Sequence, residues 1–184
     1  MSELKEIYAI EWMGPYDSID EIGCREGTEA CFIYLITGRL YNNGPKGIRY
    51  VGITKRFVGK RLNDKDHQKK QEKLLDKQFW TGRFSVSAYN NLDTKARRCR
   101  AERVETLLVR YLTNVSNIKM INDKKKYSDP KKPIGVVNRW QKKYIEEDRY
   151  NKPSILSKLP DTLLYVDKEF FAGDKLKLRL YTPE

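Results

Sequence analysis

Residues 31–54 (CFIYLITGRLYNNGPKGIRYVGIT) decide the fold. The runs CFIYLIT at 31–37 and IRYVGIT at 48–54 have the length, and the aromatic and β-branched residues, of buried strands. Between them, residues 41–47 (YNNGPKG) are dense in Asn, Gly and Pro, which favour turns. The stretch therefore predicts a β-hairpin.

The next elements are a charged helical segment, a third strand and a longer helix. Residues 57–77 hold many charges and few apolar residues, which predicts a basic and mostly exposed helical segment. Residues 79–89 (FWTGRFSVSAY) are rich in β-favouring side chains and predict a strand. Asp93 or Thr94 can cap a helix in which apolar residues recur at helical spacing to about Leu112.

The last third of the chain predicts a loop and a second hairpin. Residues 113–133 contain two lysine runs and predict a cationic loop. Residues 135–140 predict a short strand or a turn into a further helix. Residues 163–181 predict a final hairpin that turns at residues 172–174.

Together these elements predict an α+β fold in which helices flank a small antiparallel central β-sheet. The chain has 184 residues, which fits a single domain. We expect residues 31–124 to form its core, residues 1–30 an N-terminal extension, and residues 125–184 a C-terminal extension that carries the second hairpin.

The charge balance predicts a polyanionic partner. The chain holds 37 Lys and Arg against 25 Asp and Glu, a net charge of +12, and clustered cations attract nucleic acids and anionic membranes alike. A membrane-surface protein is disfavoured because residues 57–77 lack the broad apolar face of a membrane-binding helix. With no apolar run near the roughly 20 residues that span a bilayer and no signal peptide, we expect a cytoplasmic, intracellular protein. The sequence identifies no obligate protein partner.

Cysteine and histidine are scarce. Cys24, Cys31 and Cys99 have no spacing typical of zinc ligands, and His67 is the single histidine. A structural zinc site and a Ser-His-Asp triad are therefore poorly supported. The odd cysteine count predicts free thiols in a reducing compartment.

Five short motifs occur in order along the chain. They are FIY at 32–34, YVG at 50–52, RL at 61–62, ETLLV at 105–109 and INDK at 121–124. This series resembles the GIY-YIG endonuclease family, named for its two tyrosine tripeptides. The chain departs from the family pattern at Phe32, which stands where the first glycine is expected, and at His67, which lies farther from Arg61 than usual.

The resemblance implies a metal-dependent endonuclease that hydrolyses phosphodiester bonds, with DNA favoured over RNA as substrate. It implies Mg²⁺, or Mn²⁺, as the cofactor, because a lone carboxylate ligand suits a cation that keeps several waters. The implied catalytic residues are Tyr34, Tyr50, Arg61, His67, Glu105 and Asn122.

Each implied residue has a role in attack of water on a phosphodiester. The two tyrosines would polarise the water and position a phosphate oxygen, while Arg61 would offset the charge of the phosphate or of a tyrosinate. Glu105 would be the direct metal ligand, and His67 would transfer a proton to or from the leaving group. Asn122 would order a loop.

Bland alternatives remain open at each position. The tyrosines would otherwise be core aromatics, Arg61 a surface charge, and His67 a solvated helix residue. Glu105 would otherwise be an exposed partner of Arg98, Arg110 or Lys95. Glu102 and Asn117 compete for the roles of Glu105 and Asn122, and Gly52 would allow the backbone to approach a phosphate closely.

The basic stretches predict electrostatic binding of the nucleic-acid backbone rather than base reading. The expected contacts are Lys55, Arg56, Lys60, Lys69, Lys70, Arg98, Lys124 and Lys125. The alternative function is a non-catalytic nucleic-acid-binding module on a decayed GIY-YIG scaffold, suggested by Phe32 and by the displaced His67.

Overall fold

The computed structural model of the chain describes residue 4 and residues 6–22, 32–84, 93–122, 128–140 and 152–174. The strands in these residues are β1 (Ile7–Tyr16), β2 (Phe32–Arg39), β3 (Gly47–Thr54), β4 (Leu75–Phe84), β5 (Ile134–Trp140), β6 (Thr162–Val166) and β7 (Glu169–Gly173). The α-helices are α1 (Val58–Leu62), α2 (Lys65–Gln71) and α3 (Thr94–Asn114), with short 3-10 turns at Asp20–Ile22 and Ser154–Leu156. All seven strands form one sheet, in the order β3-β2-β4-β1-β5-β6-β7.

The predicted first hairpin is confirmed. β2 and β3 pair antiparallel, with Leu35 opposite Val51, and β2 pairs with β4 on its other side. The predicted third strand is also present, although it begins at Leu75 rather than at residue 79. Its expected end at residue 89 lies outside the described residues.

The α+β class is confirmed, but the expected small antiparallel sheet is wrong in size and in direction. β1, from the expected N-terminal extension, lies between β4 and β5, antiparallel to the first and parallel to the second. Tyr8, Ile10 and Trp12 alternate with more exposed residues along β1 and are buried in the same cluster as the apolar side of α3. Because β1 pairs with a strand on each side, it joins β5–β7 to the core strands in one mixed sheet.

The predicted helical segment at residues 57–77 is present, but it is divided and one side of it is buried. The segment is two short helices, and the chain has already entered β4 at Leu75. Leu62, His67 and Gln71 are buried, and the Gln71 amide donates a hydrogen bond of 2.7 Å to the carbonyl of Leu62. Charged residues therefore cover only the outer side of this pair of helices.

Helix α3 begins where the sequence predicts. The Asp93 side chain accepts a hydrogen bond of 2.7 Å from the backbone N–H of Ala96, which satisfies one of the free donors of the first turn. The helix ends at Asn114, two residues after the expected end. Its buried residues pack against the sheet and form much of the larger core cluster.

The predicted C-terminal hairpin exists, but its turn is misplaced. The chain reverses at Asp167 and Lys168, not at residues 172–174, which belong to β7 and the residue that follows it. Asp167 and Lys168 have φ angles of 50° and 68°. Two consecutive left-handed residues match the twist of a two-residue hairpin, and Asp tolerates this conformation better than most residues.

Two apolar clusters flank the sheet. The larger cluster lies under α3, and the smaller one holds Tyr34, Tyr50 and Leu62 with the residues that pack around them. The hairpin therefore presents its tyrosines to the cluster that contains α1. In the part of the chain that the structure describes, no helix has both the length and the apolar character needed to cross a membrane.

Candidate active site

The two tyrosines of the hairpin lie together. Tyr34 of β2 is opposite Gly52 of β3, two residues from Tyr50, so both tyrosines project from the same face. Their ring centroids are 5.9 Å apart with an angle of 26° between the planes. Tyr34 is fully buried, and Tyr50 keeps 7% of its surface exposed. Tyr50 is therefore the member of the pair that retains contact with solvent.

Gly52 makes room for this pair. A Cβ atom at Gly52 would lie 2.5 Å from the Tyr34 hydroxyl oxygen and 2.7 Å from Cε1 of Tyr50. The tyrosine rings occupy the space that any side chain at this position needs. The absence of a side chain at Gly52 therefore lets the backbone of β3 approach the two rings closely.

His67 completes an aromatic cluster with the tyrosines. Its ring lies edge-on to both, with centroid distances of 6.1 Å to Tyr34 and 5.7 Å to Tyr50. Its Nδ1 is 3.4 Å from the Tyr34 hydroxyl oxygen. The alternative of a solvated helix residue is wrong, because α2 turns this position inward and leaves only 3% of the residue exposed.

Burial and nearby charge keep His67 neutral. Burial, together with the positive charges of Arg61 and Lys70, lowers the pKa of His67 to about 4. The Lys70 ammonium lies over the Tyr50 ring, 5.4 Å from its centroid. A neutral imidazole with its proton on Nε2 accepts a hydrogen bond at Nδ1, so the Tyr34 hydroxyl can donate to it.

Arg61 is fixed at the edge of the cluster by a carboxylate that the sequence analysis did not identify. Nη1 of Arg61 is 2.8 Å from Oδ2 of Asp64, and Arg56 pairs with the same oxygen. Burial lowers the pKa of Arg61, but the hydrogen bond to Asp64, the neighbouring Tyr34 and the negative charge of Asp64 outweigh this effect, so the net change is upward. An acid three residues after Arg61 is a signal that helical spacing could have supplied.

Tyr34 is held in its protonated form. Burial raises the pKa of Tyr34 far above its usual value near 10, and its hydrogen-bonded neighbour Tyr50 raises it further. Arg61 acts in the opposite direction, whereas Glu105 adds to the increase. The hydroxyl therefore serves as a hydrogen-bond donor and acceptor rather than as a standing tyrosinate.

Glu105 lies on the buried side of α3. It is 9% exposed and stands one helical turn from the fully buried Ala101 and Leu108. Glu102 is 43% exposed and pairs with Arg98 at 2.7 Å. The expected alternative for Glu105, an exposed carboxylate, therefore describes Glu102 instead.

The Asn122 side chain binds the backbone at the outer edge of β3. Its Oδ1 accepts a hydrogen bond of 3.1 Å from the Val51 N–H, and its Nδ2 donates one of 2.7 Å to the Val51 carbonyl. Val51 lies between Tyr50 and Gly52, so the amide holds the backbone that carries the site. The competing Asn117 is exposed. A structural role for Asn122 agrees with the expected ordering of a loop.

Arg49 also binds the backbone around the site, and the sequence analysis did not identify it. Its buried guanidinium donates to the carbonyls of Gly38, Pro45 and Lys119, at 3.2, 2.6 and 3.3 Å. The backbone N–H of Ile121 also donates to the Arg49 carbonyl at 2.7 Å. Arg49 thus ties the hairpin loop and the segment before Asn122 to β3.

The predicted backbone-binding residues separate into groups. Lys55, Arg56 and Arg98 line a cavity of about 350 Å³ beside the cluster. Lys60 lies over the Phe57 ring, and Lys69 is exposed on α2. Lys124 and Lys125 lie outside the described residues. The structure therefore places the first three of these cations around one concave surface.

The described side chains form no group of three or more His, Cys, Asp or Glu residues that could enclose a metal ion. Any divalent cation bound among these residues would therefore take most of its ligands from water or substrate oxygens. No protein-family model, curated protein or solved structure matches the chain.

Proposed function

We propose that this protein is a metal-dependent nuclease that hydrolyses phosphodiester bonds in DNA by a GIY-YIG type of mechanism. The observation that carries the proposal is the contact between Tyr34, Tyr50 and His67, with Arg61 beside them. These residues are far apart in sequence, and core packing alone gives no reason for a histidine and an arginine to join two buried tyrosines.

Tyr50 is the tyrosine that meets the substrate, because it retains exposed surface and Tyr34 has none. Behind it, the Tyr34 hydroxyl is a hydrogen-bond partner of Tyr50 and lies 3.4 Å from Nδ1 of His67. A proton can pass from the attacking water to the Tyr50 hydroxyl. At the same time Tyr50 passes its own proton to Tyr34, and Tyr34 passes its proton to Nδ1 of His67. Neither tyrosine then becomes a tyrosinate, which agrees with the raised pKa of Tyr34.

Arg61 supplies the fixed positive charge at the phosphate. Its side chain is 38% exposed, and Asp64 holds one of its nitrogens, which leaves further donors for phosphoryl oxygens. Negative charge grows on these oxygens as water attacks, so a guanidinium already in position stabilises the transition state without rearrangement. The approaching phosphate also offsets the repulsion between Arg61 and a protonated His67.

The donor set fits a hard divalent cation such as Mg²⁺ or Mn²⁺. Glu105, which lies close enough to Tyr34 to raise its pKa, is the carboxylate that would hold the ion, together with waters and phosphate oxygens. Such an ion supplies Lewis-acid stabilisation of the phosphate and of the leaving oxygen. The contribution of the protein is a carboxylate held rigidly on the buried side of α3.

The decisive experiment compares wild type with Glu105→Gln and Tyr50→Phe on supercoiled plasmid, with Mg²⁺ or Mn²⁺ and with chelator. We expect wild type to nick or linearise the plasmid only with metal, and both variants to lose at least about 100-fold in rate while they still bind DNA. Glu169→Gln is the control, because Glu169 is an exposed carboxylate in β7, at the opposite end of the sheet from β3. It should cut like wild type.

A second candidate is nucleic-acid binding without cutting. The observation that favours it is the complete burial of Tyr34, which also suits a purely structural aromatic. The same experiment separates the candidates. Salt-sensitive binding by wild type to DNA and to RNA, with no metal-dependent cutting of either, would contradict the nuclease and support the binding module.

A further inference from the structure

A cationic cavity adjoins the tyrosine cluster. It has a volume of about 350 Å³ and lies between the end of β3, helix α1 and the first turns of α3; its lining residues are Ile53, Thr54, Lys55, Arg56, Arg61 and Arg98. Four of these six residues are cations and none is acidic. Its volume lies within the usual range for ligand sites, so it has room for more than one phosphate group.

The three arginines of this cavity each pair with a carboxylate that is not among the lining residues. Arg56 and Arg61 pair with one oxygen of Asp64, and Arg98 pairs with Glu102 at 2.7 Å. Two carboxylates therefore face four positive charges, and the excess is positive. Each guanidinium has five donors in a rigid fork, more than one carboxylate oxygen can accept. The cavity is thus preorganised for an anion with several oxygens.

Arg61 connects the cavity with the tyrosine cluster. It lines the cavity and is also close enough to Tyr34 to lower its pKa, whereas Tyr34 and Tyr50 are not among the lining residues. An anion in the cavity therefore shares Arg61 with the reacting phosphate but does not contact the tyrosines. Each strand of DNA carries one phosphate per nucleotide, so the phosphate next to the reacting one is the nearest further anion on that strand. A strand whose reacting phosphate is bound by Arg61 can place this neighbour in the cavity that Arg61 also lines.

We infer that the cavity binds the phosphate immediately next to the scissile one on the same strand. This inference rests on the proposed nuclease function and adds a subsite to it. Lys55 and Arg98 are its binding residues, and Asp64 is a positioning residue that orients Arg56 and Arg61 toward the strand. The subsite recognises the sugar–phosphate backbone and not the base, so it fixes the register of the strand without selecting its sequence.

The test couples a protein change to a change of one phosphate. The wild-type cut site is first mapped on a short DNA duplex, and duplexes are then made with a neutral methylphosphonate at each neighbouring position in turn. Affinity is measured with chelator present so that no cutting occurs. For wild type, one neighbouring position should lower the affinity about tenfold, since hydrogen bonds to charged groups have this magnitude.

The cavity variant combines Lys55→Ala with Arg98→Ala. It should bind the native duplex about tenfold more weakly, and neutralising the sensitive phosphate should cause no further loss. The matched control combines Lys158→Ala with Arg139→Ala, two cations that do not line the cavity. It should respond to the methylphosphonate as wild type does, and all three proteins should unfold at the same urea concentration.

An equal further loss in wild type and in the cavity variant would overturn the subsite. The absence of a sensitive neighbouring phosphate in wild type would overturn it too. Failure of the proposed function is recognised earlier and separately, because wild type would then give no cut site to map. In that case the assignment to a neighbour of the scissile phosphate also falls.

Discussion

Replacing Gly52 with alanine tests how closely the tyrosine pair is packed. The new Cβ would lie 2.5 Å from Cζ and from the hydroxyl oxygen of Tyr34, whereas ordinary contact begins at 3.4 Å, so these atoms must move by about 0.9 Å. Tyr34 is fully buried and cannot swing into solvent. Overpacking of this kind costs about 1–3 kcal/mol, and a shift near 1 Å in a catalytic group lowers the rate about 100-fold.

The matched control is Gly47→Ala, in the same strand, where a Cβ meets nothing within 4 Å. Urea unfolding measures the free energy of unfolding of each variant, and plasmid cutting measures the rate. We expect the urea midpoint of Gly52→Ala to fall by about 1 M, given a typical slope near 2 kcal/mol per molar. Gly47→Ala should match wild type or be more stable by up to about 1 kcal/mol, because alanine restricts the unfolded chain.

Two results would refute this reasoning. Equal unfolding midpoints for Gly52→Ala and Gly47→Ala would mean that the rings adjust without strain. Wild-type cutting by a destabilised Gly52→Ala would mean that the position of the Tyr34 ring does not matter for the reaction.

Two further predictions concern Asn122 and His67. Asn122→Asp replaces the Nδ2 donor to the Val51 carbonyl, 2.7 Å away, with an acceptor. We expect the free energy of unfolding, measured in urea at pH 7, to fall by about 2 kcal/mol. Asn117→Asp, at an exposed position, should change it little, and an equal effect of the two substitutions would contradict the role of Asn122. His67 has a pKa of about 4 in the folded protein against about 6.5 when unfolded, so the unfolded chain binds more protons between these values. Its contribution to stability is complete above pH 6.5 and is lost as the pH falls toward 4, by ~3 kcal/mol in all. The free energy of unfolding of wild type should therefore fall more steeply over this pH range than that of His67→Gln. Parallel profiles for the two proteins would contradict the lowered pKa of His67.

The hairpin and the long helix could be predicted because their signals are local. Two apolar runs around an Asn-Gly-Pro turn define β2 and β3, and Asp93 marks the start of α3 by a hydrogen bond to a residue three positions away. The turn at Asp167 and Lys168 was not predicted, because nothing in the sequence marks Lys168 as a residue with positive φ. There the glycine at residue 173 was a stronger but misleading turn signal.

The place of β1 could not be predicted from local pattern. Tyr8, Ile10 and Trp12 alternate as strand residues do, but alternation does not say which strands lie on either side. β1 pairs with β4, about 70 residues later, and with β5, later still. Such pairing depends on which edges remain open once the nearer strands have paired, which is a property of the whole sheet.

The sequence by itself determined the candidate residues, which are two tyrosines, Arg61 and Glu105. Their types and their order along the chain can be read directly from the sequence. Only the tertiary structure decided how they meet. Burial makes His67 a partner of Tyr34 rather than a solvated helix residue, and Asp64 pairs with two arginines that line one cavity. Burial, pKa and charge pairing depend on distances in space between residues far apart in the chain, and those distances exist only after the sheet and its helices have packed.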